Sequence, residues 1–101
     1  MSDRDGMEQF LLYQFDDMDR LMRTQASIYR DLAVSSEEVW REQRKVLAAG
    51  GGPLAPLLAA EHRFKQATKD LEGVQAEIPV LHASIVKTIL WLDEDAKRGG
   101  A

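Results

Sequence analysis

Apolar residues recur along this chain with a seven-residue period, in two long runs separated by one stretch that can hold no regular element. In the first run the stripe is Leu11, Phe15, Met18, Met22, Gln25, Tyr29, Leu32, Ser36, Val39, Gln43 and Val46. Steps of four and three alternate, which is the 3.5 period of a helical seam and not the period-two alternation of a strand. Leu12, Leu21, Ile28, Trp40 and Leu47 flank the stripe and widen it, the pattern of a bundle helix with more than one neighbour. In the second run Leu57, Phe64, Leu71, Ile78, Ile85 and Leu92 recur without exception, interleaved with Ala60, Ala67, Val74, Leu81 and Thr88. In the first half of this run large residues at one heptad position alternate with small ones at the other, which lets a neighbouring helix come close.

The two runs meet at Ala48-Ala49-Gly50-Gly51-Gly52-Pro53. Consecutive glycines lose too much backbone entropy to hold a helix, and Pro53 suits the first position of a new one. The pattern therefore predicts an all-α, antiparallel two-helix hairpin in one domain, 1–101, with helix 7–48, turn 49–52 (Gly50, Gly51 and Gly52, closed by Pro53), helix 53–94 and tail 95–101. Residues 1–6 read as a frayed end. Ser35 and Glu38 have capping-box spacing and could break the first helix, but the phase held from Leu32 to Val39 predicts continuity. Gly73 weakens the second helix, and Pro79 should bend it near Gln75–Ile78 without ending it, since the seam crosses Pro79 in phase. The polar seam positions Gln25, Ser36 and Gln43 read either as edge positions that see water or as residues that fix register.

Each helix of a lone hairpin has only one neighbour, and a single core at this size is marginal. Pairing with a partner chain into a four-helix bundle is therefore expected. The expected partner-binding positions are Met18, Met22, Tyr29, Leu32, Val39 and Trp40 on the first helix, and Leu57, Phe64, Leu71, Ile78, Ile85 and Trp91 on the second. Met18 and Met22 read as an adaptable surface or as ordinary core. Trp40 and Trp91 read as anchors for a partner or as simple packing.

Composition narrows the function classes. The chain is 45% hydrophobic and 30% charged, with a net charge of -4, too acidic to follow a phosphate backbone, so no nucleic-acid partner is expected. There is no cysteine, hence no disulfide and no thiolate metal site. The start of the chain lacks a signal-peptide pattern, and no apolar run reaches the roughly 20 residues that span a bilayer. The chain is expected to be cytoplasmic when made, and any export would need no cleaved signal peptide. His62 and His82 lie about 30 Å apart along a helix, too far to share a metal ion. Neither expected seam carries an acid, so the carboxylates and Glu-x-x-His motifs of a di-iron bundle are missing. Gly50–Gly52 lacks the lysine and hydroxyl residue of a phosphate loop. The expectation is no enzyme: no catalytic, cofactor-binding or metal residues, no cofactor and no small-molecule substrate.

Length, hairpin and central glycine turn together resemble the WXG superfamily, the ESAT-six-like small type VII (ESX) secretion proteins. With Gly51 as the turn glycine, Leu57, Phe64, Leu71 and Ile78 fall where that family has its apolar and aromatic positions; Ala49 stands where the family has its tryptophan. Trp91-Leu92-Asp93-Glu94-Asp95 has the spacing of the family's Tyr-x-x-x-Asp/Glu secretion signal, with tryptophan in place of tyrosine. The resemblance implies pairing with a helical protein partner as a hetero- or homodimer, and secretion in which Trp91 and Asp95 form the signal. Two further readings fit a helical hairpin: a chaperone of type III secretion needle subunits, and a homodimeric structural helical bundle.

Overall fold

The computed structural model describes residues 3–99. They form two α-helices, α1 (Asp3–Ala48) and α2 (Ala55–Gly99), and no strand. The fold is an all-α helical hairpin. Both helices run further toward the chain ends than the pattern predicted. Residues 3–6 and 95–99 are helical, while 1–2 and 100–101 lie outside the described residues. Arg4 supplies the reason. Its Nη1 donates to the Leu92 carbonyl at 3.2 Å and to Asp95 Oδ2 at 3.3 Å, and its Nε pairs with Glu8 at 3.1 Å. Asp3 and Asp5 in the first turn of α1, and Lys97 and Arg98 in the last turn of α2, complement the helix dipoles.

The turn closes as a Schellman motif: Gly51 N–H donates to the Val46 carbonyl at 3.0 Å and Gly50 N–H to the Leu47 carbonyl at 3.2 Å. Gly50 and Gly51 have φ of 67° and 94°, conformations costly for any residue with a Cβ. The exit is longer than expected. Pro53 is not the first helical residue; Leu54 accepts the first α2 bond, from Leu58 N–H at 2.9 Å. Pro56 takes the first-turn role, where its missing N–H leaves nothing unsatisfied.

Two glycine substitutions should move stability in opposite directions. Neither Gly51 nor Gly73 has an atom within 4 Å of an added Cβ, so backbone conformation alone decides. Gly51→Ala is expected to destabilise by about 1 kcal/mol or more, and Gly73→Ala, in the α2 interior, to stabilise by about 1 kcal/mol. Urea denaturation midpoints check both. Equal shifts in one direction would contradict the turn geometry.

Contacts divide the chain into two units: a turn unit, Thr24–Val74, and a terminal unit, Met1–Arg23 with Gln75–Ala101. In each, a segment of α1 runs antiparallel to a segment of α2. α2 passes through Pro79 unbroken. α1 likewise passes through Ser35, whose hydroxyl donates back to the Asp31 carbonyl instead of capping a new helix.

The seam of α2 is the one its heptads predicted except at Phe64, which is 38% exposed. Ala60, Ala67, Ile85 and Thr88 are buried, and Leu57, Leu71, Val74, Ile78, Leu81 and Leu92 half-buried. The seam of α1 is not. Leu11, Met18, Gln25, Leu32, Val39 and Val46 face inward as expected, but between them lie Gln14, Leu21, Ile28, Ser35 and Glu42, not Phe15, Met22, Tyr29, Ser36 and Gln43, which are exposed. Every alternate position is displaced by one residue. The polar seam residues change accordingly to Gln14, Gln25, Ser35 and Glu42, and Glu42 puts an acid on the seam, where Lys45 Nζ donates to it at 3.1 Å.

Volume explains the displacement. In the turn unit, Arg63 donates to Glu38 Oε2 from Nε at 3.0 Å and Nη2 at 2.8 Å, which fixes the register. Leu32 and Val39 then stand level with the small Ala67 and Ala60, and Ile28 and Ser35 with the large Leu71 and Phe64. Tyr29 in place of Ile28 would overfill the Leu71 level. In the terminal unit, Gln14 Nε2 donates to Ser84 Oγ at 2.8 Å, leaving Gln14 Oε1 buried without a partner. That pair ties α1 to α2 through the position the hydrophobic pattern passed over.

Candidate functional site

One residue of an α-helix is 100° of rotation. The residues that follow each seam position of α1 therefore form a second row with the same 3.5 period, a quarter-turn or so from the first. In the turn unit this row is Ala26, Tyr29, Ala33, Ser36, Trp40, Gln43 and Leu47, all exposed and none charged. Tyr29 is 49% exposed, Trp40 58% and Leu47 82%. The corresponding flank of α2 in the same unit carries Glu61, Lys65 and Glu72, so the open stripe belongs to α1. Arg44 stacks its guanidinium on Trp40, 4.7 Å from the ring centroid. It covers part of one face and holds the indole in place.

In the terminal unit the same row begins Asp5, Glu8, Leu12, Phe15, Asp19 and Met22. Three acids interrupt it, so it is a weaker seam. Leu12, Phe15 and Met22 are exposed there, as are Val86, Ile89 and Leu90 of α2.

The twelve expected partner-binding residues divide between two roles. Met18, Leu32, Val39, Leu57, Leu71, Ile78 and Trp91 are half-buried and Ile85 is buried; apart from Trp91, which sits beside it, these belong to the seam inside the hairpin. Met22, Tyr29, Trp40 and Phe64 are exposed. Hydrophobic periodicity alone passed over Leu12 and Leu47 as docking positions, since they read as mere flanks. The signal that would have found them is a second row of large apolar residues one residue out of step with the first. Trp91 and Asp95 lie within α2, which continues to Gly99, and Asp95 is engaged by Arg4.

Polar groups assemble little chemistry. Among the described residues no group of three or more histidine, aspartate or glutamate side chains could hold a metal ion. The ammonium of the fully solvated Lys97 is held above its ordinary value by the hydrogen bond it donates to Asp93 and by that carboxylate's charge; it is a helix-surface pair. An open groove in the turn unit is lined by Asp31, Val34, Ser35, Glu38, His62, Arg63, Gln66, Ala67 and Asp70, and its arginine is already paired with Glu38. No helix among the described residues is long and apolar enough to cross a membrane. No protein-family model matches the chain, and neither does any curated protein or solved structure.

Proposed function

We propose that the chain is a non-enzymatic protein–protein interaction module whose turn unit receives a helix of a partner chain along the open stripe of α1. The observation that carries this reading is the uncharged row from Ala26 to Leu47, exposed and in step with the covered seam. Two seams about 100° apart on one helix suit a helix with two neighbours, as in a four-helix bundle. Rows of this kind dock amphipathic helices, and the large residues of this one, whose steps are three and four, are Tyr29, Trp40 and Leu47. A small WXG-like secreted protein, or the secretion partner or chaperone of one, is the biological setting we favour. In it the chain is made in the cytoplasm and exported without a cleaved signal peptide.

A photo-activatable cross-linker placed at Gln43, and separately at Ser27, tests the reading in the cells that make the protein. Gln43 lies on the stripe; Ser27 is exposed on another face. Discrete adducts from Gln43, mapping by mass spectrometry to a helical segment, and none from Ser27, are expected. Identical patterns from both positions would overturn the reading.

A further inference from the structure

We propose that the terminal unit carries a docking surface of its own, for a basic amphipathic helix of another protein, on the side of the hairpin where Leu12, Phe15, Val86 and Ile89 stand exposed. Residues that follow the seam positions by one, on both helices, make this side. The opposite side is the open groove lined by Asp17, Leu21, Glu77 and Ser84. Because α1 and α2 are antiparallel, the rows that do not meet at that groove meet across from it. The hydrogen bond from Gln14 to Ser84 sets the level, with Leu12 and Phe15 across from Val86, and Ile89 one turn nearer the chain ends. Met22 extends the α1 wall by two turns. The strip is about 20 Å long, lies between two helices and is apolar on both walls, the form of groove that takes a third helix.

Charge names the occupant. The turn unit holds 7 basic and 7 acidic residues and the terminal unit 6 and 10, so the whole net charge of -4 lies in the terminal unit. Within that unit the strip and its outer border carry Asp5, Glu8, Asp16, Asp19 and Asp93 against Arg23 and Lys97, a net charge of -3 with His82 neutral. The groove side carries Asp3, Asp17, Glu77 and Glu94 against Arg20, Lys87 and Arg98, a net charge of -1, and Arg4 and Asp95 on the seam cancel. Both cations of the strip are already held, Arg23 by Asp19 and Lys97 by Asp93, each at 2.9 Å. Asp16 makes no ion pair among the described residues. The acids that weaken this row as a seam for an uncharged helix suit a partner whose apolar face is edged by lysine or arginine. A second copy docked strip to strip would set -3 against -3, and the same potential repels an anionic membrane surface.

The test titrates the purified full chain against a labelled synthetic helix of about 18 residues, roughly five turns, with leucine on one face and lysine on the other, read by fluorescence anisotropy. Two control peptides replace lysine by glutamate, or keep the composition in an order with no apolar face. Only the leucine–lysine helix should bind, and more weakly as salt rises. Two pairs of variants at exposed positions locate the site, with circular dichroism confirming the helices. Asp19→Lys and Val86→Ser lie on the strip, Asp17→Lys and Val80→Ser on the groove side. The first two should each weaken binding about tenfold, and the last two should leave it within about twofold. No binding of the leucine–lysine helix, equal binding of either control, or equal losses from both members of a pair would overturn the proposal. So would light scattering that shows the chain alone as a dimer broken by Val86→Ser, since a second copy would then cover the strip. The Gln43 cross-link reports on the turn unit, so this proposal and the partner-helix reading fail separately.

Discussion

Ile28→Asp is expected to unfold the turn unit, and Tyr29→Asp, one residue along, to leave it helical. Ile28 is 8% exposed and stands level with Leu71 in the seam; Tyr29 is 49% exposed on the open stripe. A carboxylate at the buried position 28 has no easy route to water, so its burial costs several kcal/mol. The lost apolar contacts of isoleucine add about 2 kcal/mol or more. Domains of this size are stable by only about 5–15 kcal/mol, and among the described residues only Ile28, Ala60, Ala67 and Ile85 are buried apolar residues. At position 29, about half exposed, the same carboxylate reaches solvent. Helical circular dichroism against temperature separates the two variants. The opposite result, with Tyr29→Asp unfolded and Ile28→Asp folded, would mean that α1 packs through Tyr29 and that the seam described above is displaced.

Trp40→Glu is expected to abolish pairing while keeping the helix. Trp40 is 58% exposed, and its indole is pre-positioned by Arg44, so little side-chain freedom remains to be lost on binding. Tryptophan and arginine at the centre of a docking surface are the residues whose removal costs most, typically about 2 kcal/mol or more. Loss of such an anchor weakens association about 30-fold, and a buried carboxylate weakens it further. Association measured by light scattering or by titration, alongside circular dichroism, checks both halves. Unchanged affinity with unchanged helix would remove Trp40 from the interface and leave the stripe without its principal anchor.

Much of this hairpin is legible one residue at a time. Glycines that tolerate positive φ set the turn, but the restart of α2 was expected at Pro53 and lies at Ala55, with Pro56 in the first turn. The seam of α2 was legible because large apolar residues recur there at every seventh position from Leu57 to Leu92, although Leu58, Val80 and Leu90 stand exposed on other faces. The candidate surface was legible in part. Tyr29, Trp40, Met22 and Phe64 are recognisable as large apolar residues at helical spacing, and they are exposed. Their membership in a row separate from the core was not legible, because on α1 the core row and the open row are adjacent and both apolar.

Helical periodicity locates an apolar arc, but it cannot choose within one that is wider than a single neighbour covers. On α1 the arc takes in Leu11, Phe15 and Leu12 as readily as Leu11 and Gln14, and hydrophobicity favours the wrong pairing. The choice was made by α2. Its large residues at Phe64 and Leu71 leave room for Ser35 and Ile28 and not for Tyr29, while Ser84 offers Gln14 a hydrogen bond that no local pattern announces. The helix ends were settled the same way, by Arg4 reaching residues far away in sequence. The sequence by itself determined two helices, their turn and most of the inner face of α2, since those follow from backbone preference and from an unbroken seven-residue repeat. Which side of α1 is core and which is left open was decided only by the volumes and hydrogen-bonding groups that the tertiary structure sets opposite it.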